Sequence, residues 1–275
     1  ASGARDTIVM GTHNFTAGFG HDLTAWTTLP NGMADNNDNN DTSEVEELWA
    51  GLIGTYTLGG AFPDFTNFTA AANALNNGGV LGAVTFNVRN GTYDETISLN
   101  QITGAGATNT IVFQSQNGDS SLVKLRNVNS YTPDYVVQLN GADYVTFQKM
   151  SFQTTGCCIG AIFSFTNGAN SNKLLNCRLT HINSFGNYLV YSNSASLDNS
   201  NQIENNRIEN GGYGIWFYGQ SSSQLESGNT FINNELTNQQ YDGILTYYQN
   251  APRIERNTVT TTSAYNSFEA IHLGY

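Results

Sequence analysis

The chain has 275 residues, of which 12% are charged and 39% hydrophobic, and its 22 acidic and 10 basic residues give a net charge of −12. This length can bury a substantial core in one large domain or two smaller ones. The acidic balance leaves no basic patch for phosphates, so it argues against nucleic acid and anionic bilayers as partners. No apolar run approaches the roughly 20 residues of a membrane helix, so no membrane insertion is expected.

The first 56 residues differ from the rest of the chain. The runs "HDLTAWTTL" and "SEVEELWA" are typical of strands, and the polar run "PNGMADNNDNNDT" between them is typical of a loop. Two such strands are too few for an independently stable sheet. We interpret residues 1–56 as the C-terminal part of an immunoglobulin-like β-sandwich domain with its linker, preceding a second unit at 57–275.

The polar loop also fits part of a calcium-binding pattern. Oxygen-bearing residues occupy the spacing of a calcium loop, although asparagine stands where glycine is usual. They are Asp35, Asn37, Asn39, Asp41, Ser43 and Glu46. Two interpretations stay open: a bound calcium ion, which would be the chain's one cofactor, or a plain sandwich loop that leads into a last strand.

The second unit begins with an amphipathic helix predicted over residues 64–77. Phe65, Phe68, Ala72 and Leu75 fall on one face of this helix. Asp64 can act as its N-cap, and the Gly78-Gly79 pair that follows ends it.

From residue 143 onward the sequence repeats a strand–turn–strand unit. The units are "FQKMSF" (147–152), "LLNCRL" (174–179), "IENNRI" (203–208), "FINNEL" (231–236) and "IERNTV" (254–259). Their spacings are 27, 29, 28 and 23 residues, and each is followed by a further strand such as "GIWFYG" or "GILTYY". Periods of this length with short strands and no helix predict a parallel β-helix, with coils about 4.8 Å apart.

The alignment of these units predicts columns along the solenoid axis. The column of Cys177, Asn206, Asn234 and Asn257 predicts a ladder at one turn, where asparagine tolerates a left-handed backbone. Cys177 is then a buried filler. The other cysteines, Cys157 and Cys158, leave a vicinal disulfide and a free thiol pair as alternatives, since no cysteine shows zinc-ligand spacing.

The run "DFTNFTAAANAL" followed by "GAVTFNVRNGTYDETISL" resembles the N-terminal cap and first coil of the right-handed parallel β-helix superfamily of pectinesterases and pectate lyases. This resemblance implies an all-β fold, a right-handed parallel β-helix with an N-terminal capping helix, preceded by a partial β-sandwich segment. It covers residues 60–275. No closing cap follows the last repeat, so we expect the β-helix to be truncated at its C-terminal end.

The string from "GTYTLGGAFPDF" to "NTIVFQS" is also similar to modules of large surface proteins that gliding bacteria export by type IX secretion. There a β-helix commonly follows immunoglobulin-like domains. The resemblance implies an extracellular, secreted or cell-surface, multidomain parent with neighbouring domains as partners. The motifs that carry catalysis in pectinesterases and polygalacturonases do not occur in this sequence, so enzyme activity does not carry over from the fold.

An aromatic face is the strongest candidate ligand site. If Ile215, Ile244 and Ile271 point inward, strand alternation sends Trp216, Leu245 and His272 outward, with Tyr218 and Tyr247 two residues on. We expect Phe163 and Phe165 to extend this face. Exposed aromatic ladders suit sugar rings, so the predicted ligand residues are Trp216, Tyr218 and Tyr247; a loop, a domain or another chain covering the face is the alternative.

Two charged features lie on the same solenoid. Asp242 and Glu269 align one coil apart beside His272, an arrangement that suits a retaining glycosidase but is equally typical of a solvated turn or a calcium site. Arg178 and Arg207 share a column with Glu235, which favours a surface ion pair over recognition of an acidic sugar.

The sequence therefore predicts an extracellular noncatalytic β-helix module, adhesive or polysaccharide-binding, whose partner is a polysaccharide or cell-surface glycan. A carbohydrate-active enzyme, either a polysaccharide lyase, an esterase or a glycoside hydrolase, is one alternative. A structural spacer or assembly subunit is the other.

Overall fold

The structure is a computed structural model that describes residues 11–16, 18–28, 42–129, 131–155, 160–182, 186–193 and 196–275. Within these ranges the chain winds into a parallel β-helix whose strands form three long sheets along the solenoid axis. Each full coil contributes one strand to each sheet. The predicted all-β solenoid is confirmed.

Sheet 1 has eight parallel strands. They are β3 (Leu52–Leu58), β4 (Val80–Val88), β7 (Ile111–Ser115), β10 (Val145–Gln148), β13 (Lys173–Leu175), β16 (Gln202–Glu204), β20 (Thr230–Ile232) and β24 (Arg253–Glu255).

Sheet 2 has seven parallel strands. They are β5 (Gly91–Tyr93), β8 (Val123–Asn127), β11 (Ser151–Thr154), β14 (Arg178–Thr180), β17 (Arg207–Glu209), β21 (Glu235–Thr237) and β25 (Thr258–Thr260).

Sheet 3 also has seven parallel strands. They are β6 (Ile97–Asn100), β9 (Tyr135–Asn140), β12 (Ala161–Thr166), β15 (Tyr188–Asn193), β18 (Tyr213–Tyr218), β22 (Asp242–Tyr247) and β26 (Glu269–Gly274).

Two short pairs complete the described strands. The pair β1 (Gly20–Trp26) and β2 (Thr42–Trp49) is antiparallel, and the pair β19 (Glu226–Ser227) and β23 (Gln249–Asn250) is parallel. β1 and β2 coincide with the two strands predicted for the first unit. Their assignment to an immunoglobulin-like domain stays a prediction.

The solenoid begins with β3. This strand is hydrogen-bonded in parallel to β4, with Thr55 opposite Thr85 and Leu58 opposite Val88. The boundary predicted at residue 57 therefore falls inside the first strand of sheet 1.

The single helix of the described chain, α1 (Phe68–Gly78), begins later than predicted. Its N-cap is Asn67, whose side-chain oxygen accepts a hydrogen bond from the Ala70 amide. Asp64 is not the cap, because its carboxylate instead accepts from the amide and hydroxyl of Thr57 at 2.7 and 2.8 Å. Gly79 ends the helix at φ 67°, a conformation that favours glycine.

The helix closes the N-terminal end of the solenoid core. Its buried face carries Phe68 and Leu75, both fully buried, and Phe68 stacks on Phe113 at a ring distance of 6.0 Å. The Glu95 carboxylate, from the turn between β5 and β6, accepts from the amides of Phe68 and Thr69 at 3.3 and 2.9 Å. A carboxylate there satisfies free amides and interacts favourably with the helix dipole.

The core consists of side-chain columns that stack from coil to coil. In sheet 1, Phe86, Phe113 and Phe147 are fully buried, and successive rings stack at 4.6 and 5.0 Å. The same column continues through Leu174 and Ile203, in strict register. Such columns arise because parallel strands place equivalent residues directly above one another.

The predicted asparagine ladder is present at the turn between sheets 1 and 2. The Asn206 amide donates to the Asn234 side-chain oxygen at 3.0 Å, and Asn234 Nδ2 donates to the Ile203 carbonyl at 2.7 Å. The left-handed residue is the preceding one in each coil, for example Asn205 at φ 57° and Asn233 at φ 54°. The ladder asparagines therefore serve as hydrogen-bond bridges and do not themselves adopt the left-handed conformation.

A second asparagine ladder, which the sequence analysis did not identify, precedes sheet 1. The amides of Asn172 and Asn201 donate to the side-chain oxygens of Asn201 and Asn229, at 2.9 and 2.8 Å. Cys177 occupies the first ladder as predicted: it is buried, and burial raises the pKa of its thiol to about 12. Cys157 and Cys158 lie outside the described residues.

Candidate functional site

The outward side of sheet 3 carries a continuous set of aromatic rings. Tyr188 stacks on Tyr213 one coil away at a ring distance of 5.1 Å, and Tyr218 stacks on Tyr247 at the same distance. Trp216 lies between the two pairs, edge-on to Tyr213 at 4.8 Å and parallel to Tyr218 at 6.1 Å. The parallel register places Tyr218 of β18 opposite Tyr247 of β22, and Trp216 opposite Leu245. The outward side chains of the two coils therefore lie next to each other.

These rings line an open cleft of about 440 Å³. Its lining residues are Tyr213, Trp216, Tyr218, Tyr241, Asp242, Leu245, Tyr247, Tyr265, Ser267, Glu269 and His272. The three predicted ligand residues, Trp216, Tyr218 and Tyr247, are thus brought together in one place. Each of the three rings is partly buried. One part of each ring is open to the cleft, and the other part packs against the neighbouring rings.

Trp216 has an unsatisfied polar atom. Its indole Nε1 is buried and has no hydrogen-bond partner among the described residues. Buried donors in folded proteins are almost always paired, and an unpaired one costs about 1–3 kcal/mol. Because Nε1 is shielded from solvent, a molecule in the cleft reaches this donor only after a neighbouring side chain moves.

In β15, β18 and β26 the first residue of the strand contacts the fourth on the outward face. Tyr213 and Trp216 are in ring contact although strict alternation would place them on opposite faces. Gly214 and Gly243 follow the first residue, and a Cβ on either would lie 2.5 Å from the carbonyl oxygen of the next coil. Glycine thus permits the close coil approach at the point where the alternation is interrupted.

The cleft ends in a group of ionisable side chains from two adjacent coils. Asp242 is paired in register with Glu269, and His272 is paired with Leu245. His272 Nδ1 lies 3.1 Å from a Glu269 carboxylate oxygen, and its Nε2 lies 2.9 Å from the Tyr247 hydroxyl. One ligating atom from each of Asp242, Glu269 and His272 lies within 4.8 Å of the others. The predicted one-coil spacing of the two carboxylates is confirmed.

Burial changes the acidity of several groups in the cleft. It raises the pKa of the Asp242 carboxyl; the positive His272 opposes this shift, and the Glu269 charge adds to it. Burial is also the main cause of the raised pKa values of the Tyr188 and Tyr213 hydroxyls. Both phenols stay neutral at neutral pH and can donate hydrogen bonds.

A second depression continues the aromatic face toward the N-terminal coils. It has a volume of about 220 Å³, and it shares Tyr188 with the stacked rings of the first cleft. Its lining residues are Asp134, Tyr135, Gln138, Gly160, Ala161, Ser164, Tyr188 and Tyr191. Polar and aromatic side chains thus follow the axis across successive coils of sheet 3.

Other sequence-predicted sites have different outcomes. Phe163 and Phe165 do not extend the aromatic face, because they are only 1% and 2% exposed and face the core. Their register partners in the next coil, Val190 and Ser192, are also fully buried, so both positions belong to inward columns. Arg178 and Arg207 form ion pairs as expected, but with Glu209 at 2.7 and 3.0 Å.

The proposed calcium loop cannot be located in the structure. Asp35, Asn37, Asn39 and Asp41 lie outside the described residues, and Glu46 is an exposed residue of β2. A calcium ion in this loop stays a prediction.

Sequence reasoning missed four tyrosines of the face: Tyr188, Tyr213, Tyr241 and Tyr265. The first two precede the inward residues of their strands by two positions, in the same column as Asp242. The sequence analysis used this column only at Asp242 and Glu269 and did not extend it to the tyrosines of the preceding coils. Tyr265 comes from the loop before β26 and packs edge-on against Tyr241 at 4.9 Å.

A second polar cluster is buried beneath the end of sheet 3. The Glu226 carboxylate is fully buried and accepts hydrogen bonds from Gln249, Asn229 and Ser192 and from the Asp198 amide. The single proton of the Ser192 hydroxyl is shared between Asp198 at 2.8 Å and Glu226 at 3.3 Å. Burial, with the Asp198 charge, raises the pKa of Glu226 to about 7.

Comparisons with known proteins agree with this architecture. A family model described as "Right handed beta helix region" matches residues 86–259, so the chain belongs to this family of right-handed β-helix proteins. Among solved structures, the chain is similar to a rhamnogalacturonan lyase, with a TM-score of 0.50 and 13% identity. That match covers 81% of this chain and 62% of the lyase, so the chain spans less than two thirds of the lyase's length.

No curated protein sequence matches the chain significantly. A likeness at 13% identity shows the shared fold, and activity has to be argued from the side chains of the site. None of the helices in the described chain is long and apolar enough to cross a membrane.

Proposed function

We propose that this chain is an extracellular, noncatalytic β-helix module that binds a polysaccharide or cell-surface glycan in the aromatic cleft of sheet 3. The observation that carries the proposal is the half-buried Trp216 ring, which lies within a set of stacked tyrosines in the wall of the cleft. Apolar faces of sugars stack on such rings, and sugar hydroxyl oxygens accept from indole and phenol donors.

The extent of the aromatic face supports a polymer as the ligand. Outward residues line depressions from Tyr135 on β9 to Glu269 on β26, which span six successive strands of sheet 3. At about 4.8 Å per coil this surface is roughly 24 Å long. A chain of several sugar units, parallel to the solenoid axis, fits that length.

The proposal is tested by a glycan array with purified wild-type protein and with the Trp216→Ala and Tyr247→Ala variants. We expect binding to a defined set of polysaccharides that falls at least tenfold in each variant, because each change removes a stacking surface. Trp26→Ala is the matched control, since Trp26 is an exposed tryptophan on β1. Binding that is absent, or is unchanged in both cleft variants, leaves a spacer or assembly role as the better account.

A carbohydrate-active enzyme is the second candidate, favoured by one observation. Asp242 and Glu269 face each other at the end of the aromatic cleft, and burial raises the pKa of Asp242. A protonated acid beside a second carboxylate about 5 Å away is what a retaining glycosidase uses.

Product formation separates the two candidates. Incubation with the polysaccharides that bind on the array, followed by measurement of new reducing ends and of unsaturated products, should give none for a binding module. Products that appear with the wild-type protein and disappear in Glu269→Gln would establish the enzyme instead.

A further inference from the structure

The end of the cleft combines three side chains whose atoms are those that transition metals select. Asp242 and Glu269 begin neighbouring strands of sheet 3, and His272 lies on the same face as Glu269 three residues later. Imidazole nitrogen with carboxylate oxygen is a donor set for zinc and similar ions, whereas calcium takes six to eight oxygens.

The distances within the group suit a shared ion. Two ligand atoms that each lie about 2.0–2.2 Å from one ion are about 3.0–3.5 Å apart. His272 Nδ1 and the nearest Glu269 oxygen are 3.1 Å apart, and the Asp242 oxygen lies within 4.8 Å of both. A rotation of the exposed Glu269 or of the Asp242 carboxyl closes the remaining gap.

Tyr247 holds the imidazole in a suitable orientation. Its hydroxyl lies 2.9 Å from His272 Nε2, the ring nitrogen that points away from the carboxylates. An ion at Nδ1 requires the proton to reside on Nε2, and the Tyr247 oxygen can accept that proton in a hydrogen bond. Metal-bound histidines are usually oriented by such a partner on the second nitrogen.

Asp242 supplies an independent observation. It is only 8% exposed, yet within the described ranges no side chain donates a hydrogen bond to its carboxylate, which is approached by the Glu269 amide. No lysine or arginine of those ranges forms an ion pair with Asp242 or Glu269. Against the effect of burial, the His272 ring and the Glu269 amide lower the pKa of Asp242, but the two carboxylates have only this one imidazole between them among the described residues, and a bound cation would balance the remaining charge.

We propose that Asp242, Glu269 and His272 bind one divalent transition-metal ion of the zinc class, with Tyr247 as the residue that positions His272. Three protein ligands leave at least one coordination position open, and this position faces the aromatic cleft. The inference does not depend on glycan binding, because its test uses the metal alone.

The test is calorimetric titration of the whole chain with Zn²⁺, together with visible absorption of the Co²⁺-loaded protein. We expect one ion per chain and the intense absorption bands of a low-coordinate Co²⁺ site. Asp242→Asn, Glu269→Gln and His272→Asn should each weaken Zn²⁺ binding at least tenfold, and Tyr247→Phe should weaken it by about tenfold through the lost hydrogen bond.

His21→Asn is the matched control. His13 and His21 have ring centroids 6.3 Å apart on the described N-terminal segment, which makes them the alternative pair for an adventitious ion. The control should bind Zn²⁺ like the wild type. The proposal is overturned by absence of stoichiometric binding, by loss of binding in His21→Asn alone, or by Ca²⁺ displacing Co²⁺ at equal concentration. Each variant is checked for an unchanged circular dichroism spectrum, and Glu269→Gln, on an exposed side chain, keeps the test decisive should Asp242→Asn disturb the fold.

Discussion

Glu226 shows how far a single buried residue can depart from its usual chemistry. Its carboxylate lies in the interior with four hydrogen-bond donors, but burial outweighs them, and the nearby Asp198 charge adds to the rise in pKa to about 7. This could not be predicted from the sequence, since Glu226 and Asp198 are 28 residues apart and meet only through coil stacking. Gln249 likewise reaches Glu226 from another coil, whereas Asn229 lies three residues from Glu226.

The raised pKa makes stability depend on pH in a defined direction. Because the native state holds the Glu226 proton to higher pH than the unfolded state, its contribution is fully present below about pH 4.5 and is lost as pH rises to about 7. We expect the free energy of unfolding to fall by up to about 3 kcal/mol across this range. Denaturant unfolding at a series of pH values measures it.

The Glu226→Gln variant tests the assignment. It should lack this part of the pH dependence, whereas Glu235→Gln, on an exposed neighbour in sheet 2, should retain it. A wild-type slope that persists unchanged in Glu226→Gln would show that other groups cause it.

At the scale of elements, the repeat predicted the turns well and the outward face only in part. Columns such as Asn206 and Asn234 follow directly from alignment, because each coil repeats the same turn. The predicted helix start was wrong because both Asp64 and Asn67 have side chains that suit an N-cap, and Asp64 is instead hydrogen-bonded to Thr57 of the preceding strand β3. Tyr213 was not predicted on the outward face, because strand alternation does not place it beside Trp216; the alternation is interrupted at Gly214, where two coils approach closely.

The ladder at the turn between sheets 1 and 2 is predicted to be a major source of stability. Asn234→Ala removes the acceptor of the Asn206 amide and the donor to the Ile203 carbonyl, and leaves both groups buried and unpaired. The variant should lose about 2–4 kcal/mol of unfolding free energy in denaturant titration. Glu235→Ala, on the adjacent exposed residue, should change it by less than about 0.5 kcal/mol. Equal losses of unfolding free energy in the two variants would contradict the prediction that the asparagine ladder is a major source of stability.

At the scale of the whole molecule, the loss of unfolding free energy caused by an Ile→Ala substitution is expected to depend on the coil in which the isoleucine lies. Ile215, Ile244 and Ile271 occupy one inward column of sheet 3, but Ile215 is fully buried between coils and Ile271 is 45% exposed. Ile215→Ala should cost about 2–5 kcal/mol of unfolding free energy, since it removes buried contacts and leaves a cavity. Ile271→Ala should cost less than about 1 kcal/mol. Chemical denaturation compares the two, and similar costs would contradict the stacking described for this column.

The overall solenoid could be predicted because the repeat period and the columns of equivalent residues are visible when the repeats are aligned. The chemistry of the cleft was less so: Trp216, Tyr218 and Tyr247 follow from the outward column, but the unpaired indole N–H of Trp216 and the Tyr247–His272 contact require coordinates. Loop residues such as Tyr265 show no repeat and could not be placed from the sequence.

The most direct test of the proposed glycan site is the indole N–H signal of Trp216 in a ¹⁵N-edited NMR titration. The chain has three tryptophans, Trp26, Trp49 and Trp216, and a Trp216→Phe variant assigns the third signal. On titration with the oligosaccharide that binds best on the array, the Trp216 signal should move while the other two stay in place, because a sugar ring that stacks on the indole changes the magnetic environment of its N–H. A saturating ligand that leaves the Trp216 signal unchanged, or that moves Trp26 or Trp49 instead, would contradict binding in this cleft.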